Sequence, residues 1–153
     1  MPYSMHRIFC ATPGNLEDER QAFYSVVGCF NENEAMKHDI LFVPVSIVPN
    51  MVDLNLFQNV IDENVRSCRY YIQVLGDTWG AFPRNFERYF ELAKTCAAAA
   101  DLPMREVAAL IKPLPARLTA EGARSLEFHD LESYRLHLRA LLSGWLERAS
   151  AGA

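Results

Sequence analysis

The chain has 153 residues, half of them hydrophobic and 22% charged, the make-up of one globular domain long enough to bury a sizeable core. Its net charge of −4, with lysine and arginine scattered along the chain, argues against a nucleic-acid binder or a basic membrane-surface patch. No stretch reaches the roughly 18 apolar residues of a membrane-spanning helix, and "MPYSMHRIFCAT" lacks the basic-then-apolar order of a secretory signal.

Apolar runs and helical patterns then alternate. "HRIFCA" (6–11) predicts a first strand, followed by "TPGN" (12–15) and a helix with Phe23, Val26, Val27 and Phe30 on one face. Asn15 can cap that helix, and Glu17, Asp18 and Glu19 suit the positive end of its dipole. "ILFVPVSIV" (40–48) predicts a second strand, which Pro44 assigns to a sheet edge or a bulge. A helix over Leu54–Ser67 turns Phe57, Val60, Ile61 and Val65 to one side.

"YYIQVLG" (70–76) predicts the third strand, and the loop after it leads to a helix over about 85–100. "VAALIKP" (107–113) is the fourth strand, and "SLEF" (125–128) a short fifth one. Asp130 caps a last helix whose inner face is Leu131, Tyr134, Leu138, Leu141 and Trp145. Sheets of this class also associate through edge strands or outer helices, and Trp145 is a candidate for such a surface.

Strands that are apolar throughout, alternating with helices, indicate a parallel sheet covered on both faces. The whole chain, 1–153, is expected to form one α/β domain, a flavodoxin-like doubly wound five-stranded sheet of order 2-1-3-4-5. Cys10, Cys29, Cys68 and Cys96 form no C-x-x-C pair, and three of them sit in or beside apolar runs, where a thiol acts as a small core residue. His6, His38, His129 and His137 offer no metal-ligand spacing. The expectation is a reduced cytoplasmic protein without structural metal.

Ligands of such sheets lie beyond the carboxyl ends of the strands that flank the order reversal. Those are the first and third strands, so "TPGN" and "GDTWGAFPRN" (76–85) are brought together. Thr12 offers a hydroxyl, Gly14 allows close backbone approach, and Gly76, Asp77, Trp79 and Gly80 form the opposite wall. The acids opening the first helix oppose a phosphate there, and neither a Walker motif nor G-x-G-x-x-G is present, so a sugar or ribose suits the crevice better.

Glu87, at the start of the third helix, is favoured in its ionised form by the dipole. It can accept hydrogen bonds from ribose hydroxyls or stabilise an oxocarbenium-like charge, or it can serve the helix alone. Trp79 can stack on a base or nicotinamide ring, or simply bury itself. Glu91 can pair with Lys94 or Arg88, and Arg20 with Glu19 or another acid. His129 beside Asp130 has the look of a catalytic pair but sits at a helix cap. Cys10 has no evident histidine partner.

These segments resemble a bacterial TIR-like family of domains. "RIFCATPGNLEDER" (7–20) is similar to its opening strand and I-S-S-T-x-x-D-L-x-x-E-R motif, with Thr12, Leu16, Glu19 and Arg20 matching. Cys10, Ala11 and Asn15 replace the two serines and the aspartate. "VRSCRYYIQVLGDTWG" (65–80) resembles S-D-x-x-x-x-L-L-G-x-x-Y-G, with Trp79 in the aromatic place. "NFERYFELA" (85–93) aligns Glu87 with the family's glutamate, and "LEFHDLESYRLHLRALLSGWL" (126–146) looks like its closing F-x-D-x-x-x-L unit.

The resemblance spans nearly the whole chain and is carried by the order and spacing of the motifs. It implies kinship with TIR domains and, more distantly, with nucleoside 2-deoxyribosyltransferases. In catalytic TIR domains the glutamate serves cleavage of the nicotinamide–ribose bond of NAD, and in the transferases it is the glycosyl nucleophile. Three functions are therefore open. One is a nucleotide-binding domain, with NAD or a nucleoside as substrate and no further cofactor, in which Glu87 engages the ribose and Thr12 with Arg20 orients the ligand. The others are a non-catalytic signalling or assembly module that self-associates, as in bacterial defence, and a deoxyribosyltransferase-type enzyme. Asn15 in place of the aspartate removes a second carboxylate from the crevice.

Overall fold

The computed structural model describes residues 2–13, 16–46, 54–76, 86–112 and 120–151, without the side chains of 54–59. Its elements are β1 (Ser4–Ala11), α1 (Glu17–Asn33), a 3-10 turn (Ala35–His38), β2 (Ile40–Val45), α2 (Leu54–Ser67) and β3 (Tyr70–Leu75), then α3 (Phe86–Ala98), β4 (Glu106–Ile111), β5 (Arg124–Glu127) and α4 (Leu131–Ala151). The five strands form one all-parallel sheet in the order β2-β1-β3-β4-β5, the doubly wound flavodoxin-like arrangement expected from the alternation.

Side chains of a strand alternate between faces, so each central strand feeds two apolar layers. Ile8, Cys10, Ile72, Val74, Ala108 and Leu110 pack under α1 and α4. Phe9, Ala11, Tyr71, Leu75, Val107 and Ala109 pack under α2 and α3. Burying each large apolar side chain stabilises the fold by about 1.5–3 kcal/mol, which explains why these strands read as unbroken apolar runs.

Pro44 pairs with Ile8 from β2, an edge strand, where the missing N–H removes no second ladder bond. The outer side of that edge is partly closed. Asn31 of α1 donates to the Phe42 carbonyl and accepts from its N–H, both at 2.8 Å.

Three expectations change. Leu16, not Asn15, stands at the N-cap position of α1, and it makes no side-chain capping bond. Val60 is half-exposed instead of facing inward with Ile61 and Val65. Trp145 is wholly buried rather than a surface for association. Its ring stacks on Tyr70 with centroids 4.1 Å apart and planes 8° apart, and its indole N–H donates to the Glu106 carboxylate, because the later turns of α4 reach the amino ends of β3 and β4.

Candidate functional site

The order reversal lies between β1 and β3, whose carboxyl ends are in register as Ala11 opposite Gln73. Gln73 is a fully buried polar residue within an apolar strand. Its carboxamide nitrogen donates to the Ala11 carbonyl at 3.3 Å and to the Val74 carbonyl at 3.2 Å, and its oxygen accepts the Tyr71 hydroxyl at 2.7 Å. Both of its N–H donors are used, and the one that reaches Ala11 ties the end of β3 to the end of β1 from within.

Beyond β1, Thr12 is buried with its hydroxyl 3.5 Å from the Cys10 sulfur. Leu16 then donates its N–H to the Pro13 carbonyl at 3.0 Å, closing the turn into α1. Gly76, just past β3, lies against the Leu16 side chain, and a methyl group there would meet it at 3.4 Å. The start of α1 and the end of β3 therefore touch, as the topology requires.

On the face under α1 and α4 lies a set of buried polar groups. Glu19 is only 8% exposed, and its Oε2 has no hydrogen-bond partner among the described residues. The Tyr134 hydroxyl, from the first turn of α4, is likewise buried without one among them. Burial pushes the Tyr134 phenol well above its ordinary range, with Cys10 and Glu19 adding to the effect. Burial likewise pushes the Cys10 thiol up to about 12, against the hydrogen bond of Thr12 and the charge of Arg20. Cys10 therefore stays a thiol and is a poor nucleophile. The sequence does carry a signal for Glu19: it lies one turn before Phe23 on the stripe that continues to Val26, Val27 and Phe30.

Arg20 is taken up by its neighbour. Its Nε and Nη2 donate to both oxygens of Glu17, at 2.9 and 2.5 Å, a fork-to-fork pair at the helix entrance. That pair, led by the Arg20 hydrogen bond, holds the Glu17 carboxyl below its usual range. The partner is thus Glu17, not Glu19.

On the other wall Glu87 is the second residue of α3 and is exposed. The next residue, Arg88, reaches Asp62 of α2 with two hydrogen bonds of 3.1 and 2.8 Å and lies 5.3 Å from the Tyr89 ring centroid. This ties the entrance of α3 to α2. Glu91 pairs with Lys94 at 3.0 Å, leaving Arg88 to Asp62. Asp130 caps α4 by accepting the Ser133 N–H at 2.7 Å, while His129 is exposed. Their adjacency is a helix cap.

Of the ligand-binding residues expected from sequence, the switch point brings Thr12 and Gly76 to adjacent strand ends, with Arg20 on the first turn of the helix between them. Gly14, Asn15, Asp77, Trp79 and Gly80 lie outside the described residues. Glu19, Gln73 and Tyr134 are polar groups that the structure shows to be buried beneath these elements.

No protein-family model matches the chain, and no curated protein matches it. Five solved chains do match. Among them is a crystal structure from Peptoclostridium difficile 630 described as a "putative lipoprotein" fragment, at 16% identity and a TM-score of 0.48, over 92% of this chain and 97% of that one. No helix among the described residues is long and apolar enough to cross a membrane.

Proposed function

We propose that this chain is a cytoplasmic TIR-like domain that binds a nucleotide, NAD foremost, in the crevice beyond β1 and β3, and cleaves its N-glycosidic bond. The observation that supports this reading is the adjacency of the two strand ends at the switch point, with Thr12 buried on one and Gly76 packed against Leu16 on the other. A Glu at the opening of α3 and the family resemblance add to it.

In the proposed reaction the ribose C1′–nicotinamide bond breaks and its electron pair returns to the pyridinium nitrogen. Nicotinamide therefore leaves neutral. The Glu87 carboxylate stabilises the positive charge that develops on the sugar, and accepts hydrogen bonds from the ribose hydroxyls. Water then adds to C1′ and its proton goes to solvent, so NAD and water give ADP-ribose, nicotinamide and a proton.

The test is incubation of concentrated protein with NAD, following nicotinamide by chromatography beside a folded Glu87→Gln variant. Release that vanishes in the variant supports the reading. A variant with full activity removes Glu87 from the mechanism. No release, with no thermal stabilisation by nucleotides, leaves a non-catalytic signalling or assembly module. Exchange of bases between a deoxynucleoside and a free purine would instead point to a deoxyribosyltransferase.

A further inference from the structure

At the opposite end of the sheet from the crevice, the amino ends of the strands hold a cavity of about 460 Å³. Its polar walls are Ser4 at the start of β1, His6 within it, His38 at the end of the 3-10 turn, Arg69 just before β3, and Ser150 in the last turn of α4. Each of these side chains can donate a hydrogen bond, and none is a carboxylate.

Two of them carry buried polar atoms with no partner among the described residues. His6 is 5% exposed and its Nδ1 is unmatched, as is the Ser150 hydroxyl. The His6 Nε2 stands 3.1 Å from the Ser4 hydroxyl, and a serine donating there leaves the ring proton on Nδ1. Arg69 is steadied by its Nε donating to the Tyr70 hydroxyl at 3.3 Å, with its guanidinium 5.9 Å from that ring centroid. Among the described residues no carboxylate forms an ion pair with it. The His6 Nδ1 and the Ser150 hydroxyl are both closed to solvent, so the groups that can reach a ligand in the cavity are Arg69, His38 and the Ser4 hydroxyl.

The carboxyl end of α4 bears a partial negative charge that favours a nearby cation and opposes an anion, a term that Arg69 and His38 have to outweigh. That explains one basic neighbour. It does not explain Arg69, His38 and a buried His6 together on one cavity. The donors come from three separate segments of chain, which suits the outward-pointing oxygens of a tetrahedral anion better than the planar pair of a carboxylate.

We infer that this cavity binds a small oxyanion of the phosphate class, gripped by Arg69 and completed by His38 and the Ser4 hydroxyl, with the His6 ring in the wall behind Ser4. The volume exceeds what bare phosphate needs, so a phosphate monoester of a small organic group is accommodated as well.

The experiment follows the imidazole resonances of the full chain by NMR as inorganic phosphate, and separately glycerol phosphate, is added at constant ionic strength. The expected result is a saturable shift of His6 and His38, with His129 and His137 unmoved. Arg69→Gln weakens it about tenfold or more. Should that variant fail to fold, since Arg69 packs on Tyr70, the exposed His38→Gln carries the test with a weakening of roughly threefold. Arg139→Gln, further along α4, removes the same charge and leaves binding unchanged.

Tighter binding of glycerol phosphate than of phosphate identifies a monoester as the ligand, and the reverse identifies the free ion; both support the site. Shifts that do not saturate, that move all four histidines alike, or that weaken equally in Arg139→Gln overturn it. Acetate binding as tightly as phosphate overturns the tetrahedral assignment.

Discussion

The Gln73 carboxamide bridges the Ala11 carbonyl on β1 and the Tyr71 hydroxyl on its own strand, at 3.3 and 2.7 Å, in a layer from which water is excluded. Replacement by Leu leaves the buried Tyr71 hydroxyl without its acceptor. An unmatched buried donor costs about 1–3 kcal/mol, so Gln73→Leu should lower the urea midpoint with little change in slope. Wild-type stability in the variant would show that the bridge contributes nothing.

Asn31 answers both main-chain groups of Phe42 on the outer edge of β2. Edge strands with free N–H and C=O groups are templates for pairing with another copy. Asn31→Ala removes two hydrogen bonds, a loss of about 1–3 kcal/mol, and opens that edge. Sedimentation should detect more dimer in the variant than in the wild type. A variant as monomeric as its parent would mean the edge is protected by other means.

The four cysteines divide by burial. Burial pushes the Cys10 and Cys68 thiols up to about 12 and raises Cys96, whereas Cys29 is exposed on α1. A thiol-disulfide reagent at mildly alkaline pH should therefore modify Cys29 alone in the native protein and all four after unfolding. Cys29→Ser should abolish the native reaction. Rapid modification of Cys10 under native conditions would contradict its place in the core.

His6 gives the fold a pH dependence of definite sign. Burial, reinforced by the charge of Arg69, holds its pKa below the ordinary 6.5. The unfolded chain thus takes up this proton first as the pH falls. Above 6.5 neither state binds it and the full stability is present; between 6.5 and the lowered native value stability is lost; below that it levels off. Denaturation midpoints across this window should fall with acidification, and His6→Gln should make the fall shallower. An identical slope in the variant would assign the dependence to other groups.

Much of this architecture follows from sequence period alone. A parallel strand covered on both faces must be apolar on both, and an amphipathic helix must repeat near 3.6 residues, so "ILFVPVSIV" and the stripe from Phe23 to Phe30 declare themselves locally. The order 2-1-3-4-5 then brings the ends of β1 and β3 together, which makes Thr12 and Gly76 legible as neighbours from the sequence. Asp130 as the cap of α4 is local in the same way.

What period cannot encode is partnership between residues far apart in the chain. Trp145 is a large ring at an inward position, but only the docking of α4 decides that it stacks on Tyr70 and reaches Glu106. Arg20 has three acids within three residues, and side-chain geometry alone selects Glu17. Glu19 is an ordinary first-turn acid until α4 covers it with Tyr134. Nor do His6, Arg69 and Ser150 reveal any association until the strands align and α4 returns across the sheet. The local chain determines which face a residue shows; burial and the hydrogen bonds it must then find are set by whatever distant segment closes over that face.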